Sequence, residues 1–119
     1  MEKSLAKLLV PEEILAHFDY EGWEVIGNMI RVHLVEKDDD AHRPKSQNPQ
    51  EEWVLDGFMN PMELQTFPTL GKEVFLVLRR RRWKLKGGGK RHTNTYAFAP
   101  KGMKTTRAFG AFLKEIDRI

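Results

Sequence analysis

Residues Gly71–Leu85 read GKEVFLVLRRRRWKL, an apolar strand pattern that runs directly into four arginines and a tryptophan. Val74, Leu76 and Leu78 alternate onto one face. Phe75 and Val77 take the other, with Trp83 and Leu85 further along it. Apolar residues on both faces predict a central, covered strand. The arginines then divide between the same faces, Arg79 and Arg81 with Phe75 and Val77, Arg80 and Arg82 with Val74, Leu76 and Leu78. Guanidinium groups on both faces predict that the strand leaves the body of the sheet near Arg79 and projects as the first arm of a hairpin.

Downstream, Lys86–Lys90 reads KGGGK, a flexible tip able to approach a phosphate backbone closely. It is not a nucleotide phosphate loop, which needs a following Lys-Ser/Thr and a helix. Arg91–Ala99 returns as a strand, with His92, Asn94, Tyr96 and Phe98 on one side and Thr93, Thr95 and Ala97 on the other. The basic hairpin thus spans about residues 73–99. A final helix is expected at about 105–118, capped by Thr105 or Thr106, with Phe109, Phe112, Leu113 and Ile116 forming one apolar stripe. Small residues Ala108, Gly110 and Ala111 permit close packing.

Upstream, Trp23 and Val25, then Ile30, Val32 and Leu34, alternate with polar residues around Gly27-Asn28, predicting an antiparallel hairpin over about Gly22–Lys37. Residues 38–51, opening DDDAHRPKSQNPQ, predict a mobile loop, with the aspartates a solvated charge run rather than a calcium site. Trp53–Leu55 and Met62–Phe67 predict short strands. At the start, Leu5, Leu8 and Leu9 have helical spacing. Pro11 suits a first helical position, opening a helix of about two turns that carries Ile14, Leu15 and Phe18 and ends near Asp19. The fold class is α+β: one domain over residues 1–119, a small antiparallel sheet of five to six short strands with a helix at each end.

A length of 119 residues suits one domain, and 40% hydrophobic residues suffice for a core. No run of about eighteen apolar residues exists to span a membrane, and Leu8–Val10 is too short for a signal-peptide core. With no cysteine, disulfides and thiolate metal sites are excluded. A cytoplasmic protein is expected. Charge is polarised: residues 1–70 hold 6 Lys/Arg against 14 Asp/Glu, and residues 71–119 hold 14 against 3. Either the basic half meets a polyanion, or the acidic half neutralises it internally.

Catalytic motifs are absent: no Gly-x-Ser-x-Gly, no cysteine nucleophile, no His-Glu-x-x-His. His17, His33, His42 and His92 are scattered without ligand spacing, so no metal and no cofactor are expected. His17 reads as a boundary residue and His33 as part of a polar face. Binding is better supported. Arg79, Arg80, Arg81, Arg82, Lys84, Lys86, Lys90, Arg91, Lys101 and Lys104, with Arg107 beyond them, form a basic cluster suited to phosphates and guanine edges. Trp83 and Tyr96 either stack a base or pack in the core. Alternate arginines either face a ligand or pair with acids of residues 1–40.

Several motifs accumulate into a resemblance. These are Pro11-Glu12-Glu13-Ile14-Leu15-x-x-Phe18, Gly57-Phe58, Thr66-Phe67-Pro68-x-x-Gly71-Lys72-x-Val74-x-Leu76, Arg80-Arg81-Arg82-Trp83, Ala99-x-x-Gly102, and Phe109-x-Ala111-Phe112-Leu113-Lys114-Glu115-Ile116. The chain resembles the N-terminal region of bacterial insertion-sequence transposases of the Aon type, over nearly its whole length except the acidic loop. The resemblance implies recognition of double-stranded DNA at transposon ends, with strand cutting carried by a separate region or subunit. In a broader set of related transposases, cysteines after the paired arginines build a zinc ribbon. Here Lys84–Lys90 stands in that place, so the hairpin must be held by packing. The resemblance implies a non-catalytic DNA-binding region. The alternative is a protein–protein interaction module that docks onto a catalytic transposase subunit.

Overall fold

Val74, Leu76 and Leu78 are fully buried, with buried Ile30, Val32 and Leu34 beside them on one neighbouring strand, and buried Leu64 and Thr66 and half-buried Met62 on the other. The computed structural model describes residues 3–117. In chain order these form α1 (Lys3–Leu9), α2 (Glu12–Leu15), β1 (Phe18–Ile26), β2 (Met29–Glu36), β3 (Trp53–Phe58), β4 (Met62–Thr69), β5 (Lys72–Arg79), β6 (Arg81–Leu85), β7 (Arg91–His92) and α3 (Arg107–Ile116). The class is α+β with helices at both ends. The strands make two sheets rather than one, ordered β1-β2-β5-β4 and β3-β6-β7.

β5 is central, as its two apolar faces predict. Its neighbour β2 runs parallel to it, with Ile30, Val32 and Leu34 opposite Val74, Leu76 and Leu78. Alternation within each strand carried no information about this direction. The connection through β3 and β4 supplies the long crossover a parallel pair needs. β4 pairs on the other side, antiparallel, with Leu64 opposite Leu76. Val10, Ile14, Phe18 and Phe98 close over this face as the core. On the reverse face Arg31 of β2 donates to Glu63 of β4 at 2.5 Å. That pair bridges across β5 on the side that carries Phe75 and Val77.

Three boundaries differ from the sequence reading. The helix opened by Pro11 lasts one turn, because Phe18 serves as the first residue of β1 and packs edge-on against Tyr96 and Phe98. The return arm of the hairpin pairs only at His92 and Arg91, opposite Trp83 and Lys84. Beyond it the chain turns back so that Tyr96 and Phe98 reach the first sheet's core, and residues 93–99 form no strand. The final helix begins at Arg107, with Thr106 as its cap, accepting from the Phe109 amide. Arg118, read as the helix's last cation, lies outside the described residues.

Two backbone features follow from close approach. A Cβ at Gly110 would lie 2.7 Å from Thr105 Oγ1 and 2.8 Å from Pro100 Cγ, so only glycine lets α3 pack there. The β4–β5 turn has Leu70 and Gly71 both at positive φ, 54° and 74°, the signature of a type I′ hairpin. Leucine is poorly suited to that region, and Leu70 is 91% exposed, so no packing compensates. Among the described residues no helix is long and apolar enough to cross a membrane.

Leu76→Ala is expected to destabilise the fold by about 2–5 kcal/mol in denaturant unfolding, as for a buried leucine in a closed core. Leu70→Asn is expected to do the opposite. It relieves the left-handed backbone and raises stability by about 1 kcal/mol, visible as a melting temperature about 4 °C higher.

Candidate nucleic-acid interface

The four arginines straddle the junction of the two sheets, and the junction gives each a different task. Arg79 ends β5. Its guanidinium bonds both oxygens of Glu21 at 2.9 and 3.0 Å and lies over the Phe58 ring at 4.2 Å. Glu21 is available because it is the extra residue of a bulge in β1, which re-aims its side chain. Arg80 is the link between sheets. One of its terminal nitrogens donates to the Asn94 carbonyl at 3.2 Å, and its Nε is buried without a partner. Arg81 opens β6 and turns inward, its Nε donating to the Glu36 carbonyl at 3.0 Å.

Arg82 faces the other way. Strand alternation and register put Arg82 and Lys84 of β6, Arg91 of β7, and Val54 and Asp56 of β3 on one side of the second sheet, with Lys86 and Glu52 paired just beyond the strand ends. Asp56 is the focus of that side. Arg82 Nε donates to its carbonyl at 2.9 Å and lies 3.5 Å from its carboxylate. Lys84 approaches at 3.9 Å, and Arg91 bonds the same carboxylate directly. Lys86 pairs loosely with Glu52 at 3.4 Å. Four cations thus share one open face with two carboxylates.

The opposite side of the second sheet is apolar. Trp83 is buried there, opposite Leu55, and Trp53 lies opposite Leu85. Trp83 therefore packs, with the Arg43 guanidinium 5.8 Å above its ring. Tyr96 also packs, stacked on Phe98 at 5.0 Å. Lys90, Lys101 and Lys104 are exposed and form no ion pair among the described residues. Lys101 and Lys104 are not brought to the second sheet. Their turn runs beside β4, where the Lys104 carbonyl accepts from the Gln65 amide. Arg107 is tied to the Ala97 carbonyl at 2.5 and 3.1 Å.

Sequence reasoning passed over a polar cluster at the same junction. Glu36 is fully buried at the end of β2. Its carboxylate accepts from the Arg81 amide at 3.0 Å, from Asn94 Nδ2 at 3.2 Å and from the Tyr96 hydroxyl. Burial first, then the Glu36 carboxylate, push the Tyr96 phenol up from its ordinary 10.0. Beside it a cavity of about 540 Å³ is lined by His17, His42, His92, Thr93, Asn94, Thr95 and Tyr96, among others. His42 Nδ1 lies 2.5 Å from Asp39 Oδ1, and His42 Nε2 lies 2.8 Å from His17 Nδ1. The bond from His42 holds the Asp39 carboxyl below its ordinary 3.8. So the start of the acidic loop is fastened: Asp39 holds His42, and Arg43 donates to Asp38 at 2.7 Å. The histidines, read as unpaired, include one hydrogen-bonded pair. No spacing announces it, because its members are 25 residues apart.

Among the described residues, no group of three or more His, Asp or Glu side chains is arranged to hold a metal ion. The chain matches no protein-family model, no curated protein and no solved structure.

Glu36→Ala strands three donors and is expected to cost at least about 3 kcal/mol in denaturant unfolding. The Tyr96 phenol, with its folded pKa raised, contributes stability that is complete below the unfolded tyrosine value. That contribution is lost as pH rises from there through the folded value. Unfolding free energy should therefore fall above about pH 10 in the native chain, and the fall should be smaller in Tyr96→Phe.

Proposed function

We propose that the chain is a DNA-binding region of transposase type, with strand cutting left to another region or subunit, which grips double-stranded DNA with the open face of the second sheet. One observation carries this reading: Arg82, Lys84, Lys86 and Arg91 share one face, where among the described residues Glu52 and Asp56 are the carboxylates paired with them. Along β6 that face offers a cation about every 6.7 Å, about two base-pair rises of one DNA strand. The resemblance to insertion-sequence transposases makes transposon-end DNA the specific duplex. Arg79 is matched by the Glu21 carboxylate and Arg81 is held by the Glu36 carbonyl, whereas Arg82, Lys84 and Arg91 share the single Asp56 carboxylate, so the second sheet's face keeps the excess positive charge that favours phosphate.

A second reading has support from α3. Phe109 is buried against Phe67, but Phe112 and Ile116 remain 47% and 45% exposed. An apolar stripe open over its C-terminal half suits docking onto a separate catalytic subunit.

The test is binding to a duplex carrying the parent element's terminal repeat against a scrambled duplex, titrated with salt. Four phosphate contacts predict a log–log slope of about −3.6. Arg82→Ala combined with Lys84→Ala should reduce that slope in magnitude by about 2. Arg79→Ala and Arg81→Ala should leave the slope alone and lower the melting temperature instead. A slope that the Arg82–Lys84 pair does not change would sink the proposal. Equal, weak binding to both duplexes would reduce it to generic polyanion affinity.

A further inference from the structure

The hydrogen-bond chain beside Glu36 has a direction. Asp39 is a carboxylate and only accepts, so His42 Nδ1 carries the proton between them. The His42 tautomer that donates from Nδ1 carries its lone pair on Nε2, which accepts from His17 Nδ1. That leaves the lone pair of His17 on Nε2, an atom with no protein partner among the described residues, on a side chain that lines the cavity. A carboxylate, an orienting imidazole and a second imidazole with its base free form the arrangement used for general-base work, in which each partner fixes the tautomer of the next.

We propose that this cavity is a second site of the protein, at which His17 Nε2 acts as general base on water attacking a small neutral ester. The charge around the cavity selects the substrate class. No lysine or arginine lines it. Behind the wall the Asp39 and Glu36 carboxylates are matched by Arg80, bonded to the Asn94 carbonyl, and Arg81, bonded to the Glu36 carbonyl, so the surroundings carry no net charge and suit a neutral substrate. Thr93 and Thr95 supply hydroxyl groups on the wall. The step balances without any added reagent. His17 Nε2 takes one proton from water as the water oxygen bonds to the carbonyl carbon. The bond from that carbon to the leaving oxygen then breaks, and the proton on Nε2 passes to the departing alcohol. Ester and water give acid and alcohol. Asp39 and His42 are positioning residues, acting only through His17. The site lies apart from the basic face and does not rest on the DNA-binding reading.

The probe is 4-nitrophenyl acetate with the full chain, followed by nitrophenolate release over more than one turnover per chain. The native protein should exceed an equal concentration of free imidazole, and the contribution of the positioned base should be about a hundredfold, the lower range for general-base catalysis. His17→Gln should lose most of that gain with an unchanged melting curve. His33→Gln removes a histidine that lies 3.0 Å from Glu24 on the other side of the sheet, and should leave the rate unchanged. Asp39→Asn should lower the rate and move the midpoint of the ascending limb of the pH–rate profile to lower pH, which a purely structural role would not do. A native rate no greater than that of imidazole, or equal rates in His17→Gln and the native chain, overturns the proposal. If His17→Gln does not fold, nitrogen-15 spectra of the native histidines decide. A proton on His17 Nδ1 with bare Nε2 supports the proposal, and the reverse tautomer overturns it.

Discussion

Everything at the junction of the two sheets depends on the buried carboxylate of Glu36. A carboxylate taken out of water is tolerated only where donors replace the lost solvent, and here three converge from two later segments of chain. The Arg81 amide arrives at the start of β6, and Asn94 and Tyr96 arrive from the stretch after β7. The Glu36 carbonyl holds the Arg81 side chain as well. One residue at the end of β2 thereby fastens the second sheet to the first. The same Asn94 side chain bonds the His42 carbonyl at 2.7 Å, so the acidic loop is fastened by the same knot.

That knot sorts the basic residues. Once Arg81 is drawn inward, strand alternation sends Arg82 outward, and Lys84 and Lys86 follow it. Arg79, two residues before Arg81 at the end of the first sheet's β5, is claimed by Glu21. The positive charge that the second half of the chain concentrates is thus divided between stitching and display. Asp56 keeps the displayed cations gathered: Arg82, Lys84 and Arg91 converge on it from two strands. Internal neutralisation accounts for Arg79, and the three cations on Asp56 are matched by one carboxylate.

The aromatic residues follow a parallel logic. Trp83 sits in the basic run, yet its side of the second sheet is the one lined by Trp53, Leu55 and Leu85, so it packs. Tyr96 and Phe98 lie in a segment without strand pairing and still reach the first core, stacked on each other and set against Phe18. They supply the packing that holds the short hairpin down in a chain without cysteine.

Local pattern determined much about this protein. Alternation in Val74–Leu78 marks β5 as central, the arginines mark where its sheet ends, Gly27-Asn28 marks the first hairpin, and the stripe from Phe109 marks the last helix. These are properties of neighbours in sequence, and backbone geometry of period 2 or 3.6 converts them directly into faces. Tertiary structure alone decided the rest. The parallel pairing of β2 with β5, the split into two sheets, the sharing of Glu36, and the meeting of Asp39, His42 and His17 all join segments tens of residues apart. No periodicity records such encounters. They follow from which buried donors and acceptors must be satisfied once the core has closed, and that requirement exists only in the folded chain.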